Sequence, residues 1–301
     1  MLQCATASFR DKPMTPSGAT ERSWEVDGLH IAGLSWGDTE KKPLLALHGW
    51  LDNANSFAML APQLADFHVI ALDLTGHGKS SRRSADATYQ IYDDLPQVLG
   101  VVQQLGWDRF DLIGHSRGAI IASILAASFP EKIHHLVLLD GVSPPPLEAG
   151  EFVSQMRRYV IDKKRLQNRQ TRIYKSMDLA VSAREEQGLN AEASRLIVCR
   201  NLTPVEGGFT WATDPRLRGA SAVKLTQDQV DTVVQELTMP TLLLMAERGL
   251  SETHSSEFTS LGDRVSDLVL ETFPGGHHFH MEQGVATLST RIQSFLFNEE
   301  L

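Results

Sequence analysis

The stretch Gly114-His115-Ser116-Arg117-Gly118 carries the most chemistry in this sequence. It fits G-x-S-x-G, with the apolar run Phe110–Ile113 before it and the Ala- and Ile-rich Arg117–Phe129 after it. A sharp strand-to-helix turn strains the backbone at the serine and lifts its hydroxyl above the sheet. The helix N-terminus then aims unpaired N–H groups at the same spot. A serine so placed becomes a nucleophile once a base reaches it, and histidine titrates in the right range. His277, His278 and His280 compete for that work in Gly275-Gly276-His277-His278-Phe279-His280-Met281-Glu282. Leu47-His48-Gly49-Trp50 closes an earlier apolar run. There the N–H of Trp50, with that of Arg117, would hold an oxyanion, and one such donor is worth about 3–4 kcal/mol in a transition state. The chemistry indicated is acyl transfer through a serine.

Other motifs carry less. Leu72-Asp73-Leu74-Thr75-Gly76-His77-Gly78-Lys79-Ser80 looks like a phosphate loop, but G-x-x-x-x-G-K-S needs glycine where Asp73 stands. It reads as a structural loop with Asp73 bonded to backbone. The histidines form no H-E-x-x-H helix, and Cys4 with Cys199 cannot supply a structural zinc site alone. No metal and no cofactor are expected. His134 and His135 read as packed or edge residues of a strand.

The elements that must position these groups alternate in type. Trp24–Val26 and Leu29–Trp36, split by Asp27-Gly28, read as a hairpin. Leu44–Leu47, Phe67–Leu72, Phe110–Ile113, Ile133–Leu139, Thr241–Met245 and Asp267–Leu270 are short apolar runs, as expected of strands buried on both faces. Helical spacing marks Ala54–Leu64, the stripe from Ile91 to Leu105, Arg117–Phe129, and a last helix through Val285, Leu288, Ile292, Phe295 and Leu296. The fold class expected is α/β, with a mainly parallel sheet flanked by helices. After Pro144-Pro145-Pro146 about ninety residues show no convincing strand; they read as an all-helical insertion. The expected division is a flexible tail over 1–22, a core over 23–143 and 238–301, and a cap over 144–237.

Composition narrows the class. The 301 residues carry a formal charge of −9, which provides no footprint for nucleic acid or an anionic membrane. No apolar run reaches the roughly 18 residues of a membrane span. The first twenty residues contain Arg10, Asp11 and Lys12 and do not read as a secretory signal. With two cysteines, a cytoplasmic setting is expected. Partners are expected to be small acyl substrates; oligomeric state is not legible.

Together the His-Gly-Trp segment, the Asp-Leu-Thr-Gly-His-Gly-Lys-Ser loop, the Gly-His-Ser-Arg-Gly elbow and the Gly-His-x-x-x-x-Glu ending resemble the α/β-hydrolase family from Trp24 onward. The insertion resembles that family's cap. Gly207-Gly208-Phe209-Thr210-Trp211 followed by Asp214-Pro215-Arg216-Leu217 is similar to the serine hydrolase-like subgroup. The resemblance places the catalytic histidine at His277, from its spacing to Glu282, with His278 in reserve. It implies Ser116 as nucleophile, which separates this chain from dehalogenases and epoxide hydrolases with an aspartate nucleophile. The sequence departs from the family at the acid: Ala246-Glu247-Arg248-Gly249 stands where Gly-x-x-Asp is usual. The resemblance offers Asp140, at the end of the sixth core strand, with Glu247 and Glu252 as alternatives. The implied activity is hydrolysis of a carboxylic ester, thioester or lactone. Acyl transfer or carbon–carbon cleavage by the same triad, and a non-catalytic ligand-binding protein, are the other readings.

Overall fold

A computed structural model describes residues 16–167, 169, 171–250 and 264–297. Eight strands form one sheet: β1 (Thr20–Val26), β2 (Leu29–Trp36), β3 (Lys42–Leu47), β4 (Phe67–Leu72), β5 (Phe110–His115), β6 (Ile133–Leu139), β9 (Thr241–Arg248) and β10 (Leu268–Gly276), in the order β1-β2-β4-β3-β5-β6-β9-β10. β2 runs antiparallel to β1 and β4, and the pairs from β4 across to β10 are parallel.

The apolar runs serve two cores at once, because successive side chains of a strand face opposite sides. Leu45 and Leu47 of β3 pack into one core, Leu44 and Ala46 into the other. The first core is closed by α1 (Leu95–Leu105) and α2 (Arg117–Ser128). The second is closed by the 54–64 segment and α7 (Val285–Phe297). Each buried leucine contributes about 2 kcal/mol of apolar burial. α1 stops at Gly106, whose left-handed backbone (φ 72°) turns its N–H back onto Gln103 and Val102 carbonyls.

Four expectations need correction. The 54–64 segment is two short 3-10 turns, Ala54–Phe57 and Ala61–Gln63, not a helix; Pro62 lacks the N–H that a continuous helix would need. The sheet begins at Thr20, inside the expected tail. The insertion is not all-helical. Besides α3 (Phe152–Gln167), α4 (Met177–Glu185), α5 (Ala191–Asn201) and α6 (Gln227–Gln235), it holds an antiparallel pair, β7 (Leu202–Val205) with β8 (Gly208–Trp211). These strands are four residues each and one contains Pro204, so alternation had no length in which to show. α6 was expected within the cap, yet its Val234 packs in the first core.

The insertion is tied to the carboxyl edge of the sheet. Arg200 of α5 donates Nε–H to Asp73 at 2.9 Å and pairs with Glu21 of β1 at 2.8 Å. Asp73 also accepts from the N–H groups of Ala54 and Lys79, each at 2.8 Å. The loop that imitates a phosphate site is therefore a buried structural hub, bonded to backbone as expected and to the insertion besides. Among the described residues no helix is long and apolar enough to cross a membrane.

Candidate active site

Because β3, β5, β6, β9 and β10 are parallel, their last residues share one edge of the sheet. Leu47 pairs with Gly114, His115 with Leu139, Leu139 with Leu244, and Gly276 with Arg248. Ser116, Asp140 and His277 each follow directly on a strand end, and Trp50 stands three residues past β3.

Ser116 occupies a left-handed backbone position, φ 52° and ψ −118°. Its N–H donates to Leu139 O at 2.9 Å, and its carbonyl accepts from Ala119 at the same distance. The flanking glycines are set by close approach. A Cβ on Gly114 would lie 2.6 Å from Ala119 Cα, and one on Gly118 would lie 2.6 Å from His48 O. Among the described residues the non-glycine positive-φ positions are Asp27, Leu51, Ser116 and Asp140. Asp27 turns a hairpin; the other three ring this edge, where strain is commonly held.

His277 bridges the serine and an acid. Its Nε2 lies 3.0 Å from Ser116 Oγ and its Nδ1 2.5 Å from Asp140 Oδ2. Asp140 is fully buried, its Oδ1 accepting from Ala246 N–H and its Oδ2 from Leu250 N–H, each at 3.0 Å. Gly249 explains the departure seen in the sequence. A Cβ there would stand 2.7 Å from both Asp140 Oδ1 and Ala246 Cβ, so the carboxylate fills the space a side chain at 249 would need. Glu247 is exposed at the end of β9, and Glu252 lies outside the described residues.

The loop carrying His277 is held from both sides. Glu282 Oε1 accepts from Gly276 N–H at 3.1 Å, which gives the Gly-His-x-x-x-x-Glu spacing a physical meaning. His115 Nε2–H donates to His277 O at 2.8 Å. His278 turns away: its Nε2 meets Asp52 Oδ2 at 3.0 Å, while Asp52 Oδ1 pairs with Arg184 at 2.5 Å. Burial opposes charge on Asp52, but His278 and Arg184 hold its carboxyl well below the usual range. Burial pushes His115 and His280 well below the ordinary histidine value. His48 is buried and neutral as well, its Nδ1–H on Gly49 O at 2.7 Å and its Nε2 accepting from Leu74 N–H at 3.0 Å.

Asp52, His115 and His278 bring one potential metal-ligand atom each within 4.8 Å of one another. The guanidinium of Arg184 already supplies the positive charge that Asp52 requires, so the cluster is accounted for by its ion pairs. His280, the third histidine of the 275–282 stretch, is buried with its Nε2 2.8 Å from Ser56 Oγ. Asp52 and Arg184 were not singled out by sequence; neither sits in a motif, and only the fold brings 52, 184 and 278 together.

Residues 42–283 match the alpha/beta hydrolase fold family. A serine hydrolase-like protein of Dictyostelium discoideum is 31% identical over 293 residues, covering 91% of this chain and 80% of its own. The crystal structure of a hypothetical protein from Pseudomonas aeruginosa PAO1 superposes with a TM-score of 0.86 at 36% identity, over 92% of this chain and 99% of that one. A thioesterase domain from the curacin biosynthetic pathway superposes at 0.83 with 26% identity, over 92% and 99%. With its parallel sheet, its elbow and these likenesses, the chain belongs to the α/β-hydrolase fold family.

Proposed function

We propose that the protein is a serine-dependent hydrolase of a carboxylic ester, thioester or lactone. The observation that carries this reading is the continuous contact from Ser116 Oγ through His277 to Asp140, at 3.0 and 2.5 Å. Ser116 Oγ attacks the acyl carbon while His277 Nε2 takes its proton. Asp140 holds Nδ1–H and stabilises the imidazolium. The N–H groups of Trp50, on the loop leaving β3, and of Arg117, the first residue of α2 after the adjacent β5, receive the oxyanion. Collapse expels the alcohol or thiol, which takes the proton from Nε2. Water then attacks the acyl-serine, gives its proton to His277, and the acid leaves with Ser116 restored.

The likeness to serine hydrolase-like proteins and to a thioesterase domain supports this substrate class. The non-catalytic reading rested on glycine at 249, and the carboxylate of Asp140 in that space removes its support. The residues at 144–237 act in this reading as a cap over the serine, in a cytoplasmic enzyme with small-molecule substrates. The test is labelling by a fluorophosphonate. The adduct is expected on the peptide containing Ser116, and Ser116→Ala is expected to abolish both labelling and p-nitrophenyl ester hydrolysis without unfolding. An adduct elsewhere overturns the assignment.

A further inference from the structure

A cavity of about 520 Å³ lies between the end of α3, α4 and the β7–β8 hairpin. Its lining includes Arg169, Arg172, Arg184 and Arg218, a concentration of positive charge in a chain of net charge −9. Two of the charges around it are spent. Arg184 pairs with Asp52. Asp214, a lining carboxylate, is held by Arg216 at 2.8 Å and by the Tyr89 hydroxyl at 2.8 Å. Among the described residues no carboxylate lies within 4.0 Å of the guanidinium groups of Arg169, Arg172 or Arg218.

Aromatic rings fix two of these guanidinium groups instead. Arg172 lies over Tyr174 at 4.9 Å and Arg218 over Trp50 at 5.6 Å. A ring orients such a cation without cancelling its charge. Partial desolvation, and then the neighbouring Arg169 and Arg184, push the Arg218 guanidinium below its ordinary range. Three positive groups thus converge on one concave space whose lining carboxylate among the described residues, Asp214, is already engaged by Arg216 and Tyr89. A planar guanidinium fork matches the oxygens of a carboxylate or phosphate.

The cavity borders the proposed reaction centre. Leu51, next to Trp50, forms part of its wall, and the Trp50 indole N–H donates to Leu217 O at 2.9 Å. The link between this cavity and the proposed oxyanion donor is the 50–52 loop, through Leu51 on the wall and Trp50 against Arg218. We propose that Arg169, Arg172 and Arg218 bind an anionic group, carboxylate or phosphate, carried on one arm of the acyl substrate. This inference rests on the hydrolase reading for where the substrate reacts. The recognition it describes stands on the cavity alone.

Matched substrates test it. One pair is p-nitrophenyl hemiglutarate and its neutral methyl ester, with the charge on the acyl arm. The other is an acyl thioester of 4′-phosphopantetheine and the same acyl group on neutral N-acetylcysteamine, with the charge on the leaving arm. In at least one pair the anionic member is expected to be favoured by about tenfold or more in kcat/KM. The pair that responds identifies the arm. The preference is expected to fall with added salt and to collapse toward unity in Arg172→Gln/Arg218→Gln, mainly through KM. Arg172→Lys/Arg218→Lys is expected to keep part of it. Both arginines are exposed, so these changes spare the cores. A wild-type ratio near one in both pairs, or a preference that survives the glutamine variant, overturns the proposal. If no substrate turns over and no fluorophosphonate labels Ser116, the hydrolase reading is the one that fails. Calorimetry with glutarate and with inorganic phosphate then decides the cavity: binding by the wild type that is lost in the glutamine variant upholds it, and binding of neither anion overturns it.

Discussion

Moving the acid between positions 140 and 249 probes the proposed triad most directly. Both Asp140 oxygens accept N–H groups: Oδ1 from Ala246, Oδ2 from Leu250 and His277. Asparagine at 140 offers one acceptor and one NH2. Whichever way it turns, the NH2 confronts a main-chain N–H, at a cost of about 1–3 kcal/mol. In one orientation it also faces His277 Nδ1 and selects the tautomer whose Nε2–H points at Ser116 and cannot take its proton. With the negative charge gone as well, Asp140→Asn is expected to lose about a thousandfold or more in turnover, on the order of 4 kcal/mol of transition-state stabilisation.

Gly249→Ala removes no reacting group, but its Cβ needs the room the carboxylate occupies, 2.7 Å from Oδ1. It is expected to lose about a hundredfold by displacing Asp140 from His277. Asp140→Gly with Gly249→Asp returns a carboxylate to the same space from the neighbouring strand end. Glycine also suits the left-handed backbone at 140, where φ is 47°. The double variant is expected to recover at least about tenfold over Asp140→Gly alone. The assay is steady-state p-nitrophenyl ester hydrolysis, with urea unfolding to verify the fold. If Asp140→Asn stays within tenfold of the wild type, or Gly249→Ala is kinetically silent, the acid is misassigned.

Two further outcomes follow from the histidines. His277→Ala is expected to cost about a thousandfold in turnover. His278→Ala is expected to cost less than about tenfold, because Asp52 keeps Arg184 as partner; the reverse order would move the base by one residue. Stability is expected to fall on acidification. His77, His115 and His280 are buried, and burial holds each well below the ordinary histidine value. In the unfolded chain they titrate near 6.5, so below that pH the unfolded state binds more protons. Their stabilisation is complete above about pH 6.5 and declines below it by about 1.4 kcal/mol per pH unit for each group. The urea midpoint is expected to drop clearly between pH 7.5 and 5.5, and a flat midpoint would refute the neutral cluster.

Much of the scaffold is written in local sequence. Strands buried on both faces must be apolar throughout, so β3, β4, β5, β6 and β9 are visible as runs, and α1 and α7 show the stripe of helices packed on one face. The proposed nucleophile is legible for the same local reason: the strand, the tight turn and the helix that lift Ser116 are contiguous, and the glycines at 114 and 118 are demanded by neighbours within the motif or on the next strand. His277 is readable through Glu282, because the bond from Glu282 to Gly276 closes a loop only six residues apart.

What spans long distances along the chain was decided by the fold alone. Asp140, Glu247 and Glu252 are all carboxylates near strand ends after Ser116, and residue type cannot rank them. The parallel register of β6, β9 and β10 sets Asp140 under His277 and fills the space at Gly249, while Glu247 turns outward. The insertion is opaque for a related reason. Its β7–β8 pair is too short to show a period, and its anchors, Arg200 on Asp73 and Arg184 on Asp52, join positions 127 and 132 residues apart. Arg169, Arg172 and Arg218 belong to no motif along the chain. Only the packing of α3, α4 and the hairpin turns them toward one cavity, because a charge's partners are set by spatial neighbours and not by its neighbours along the chain.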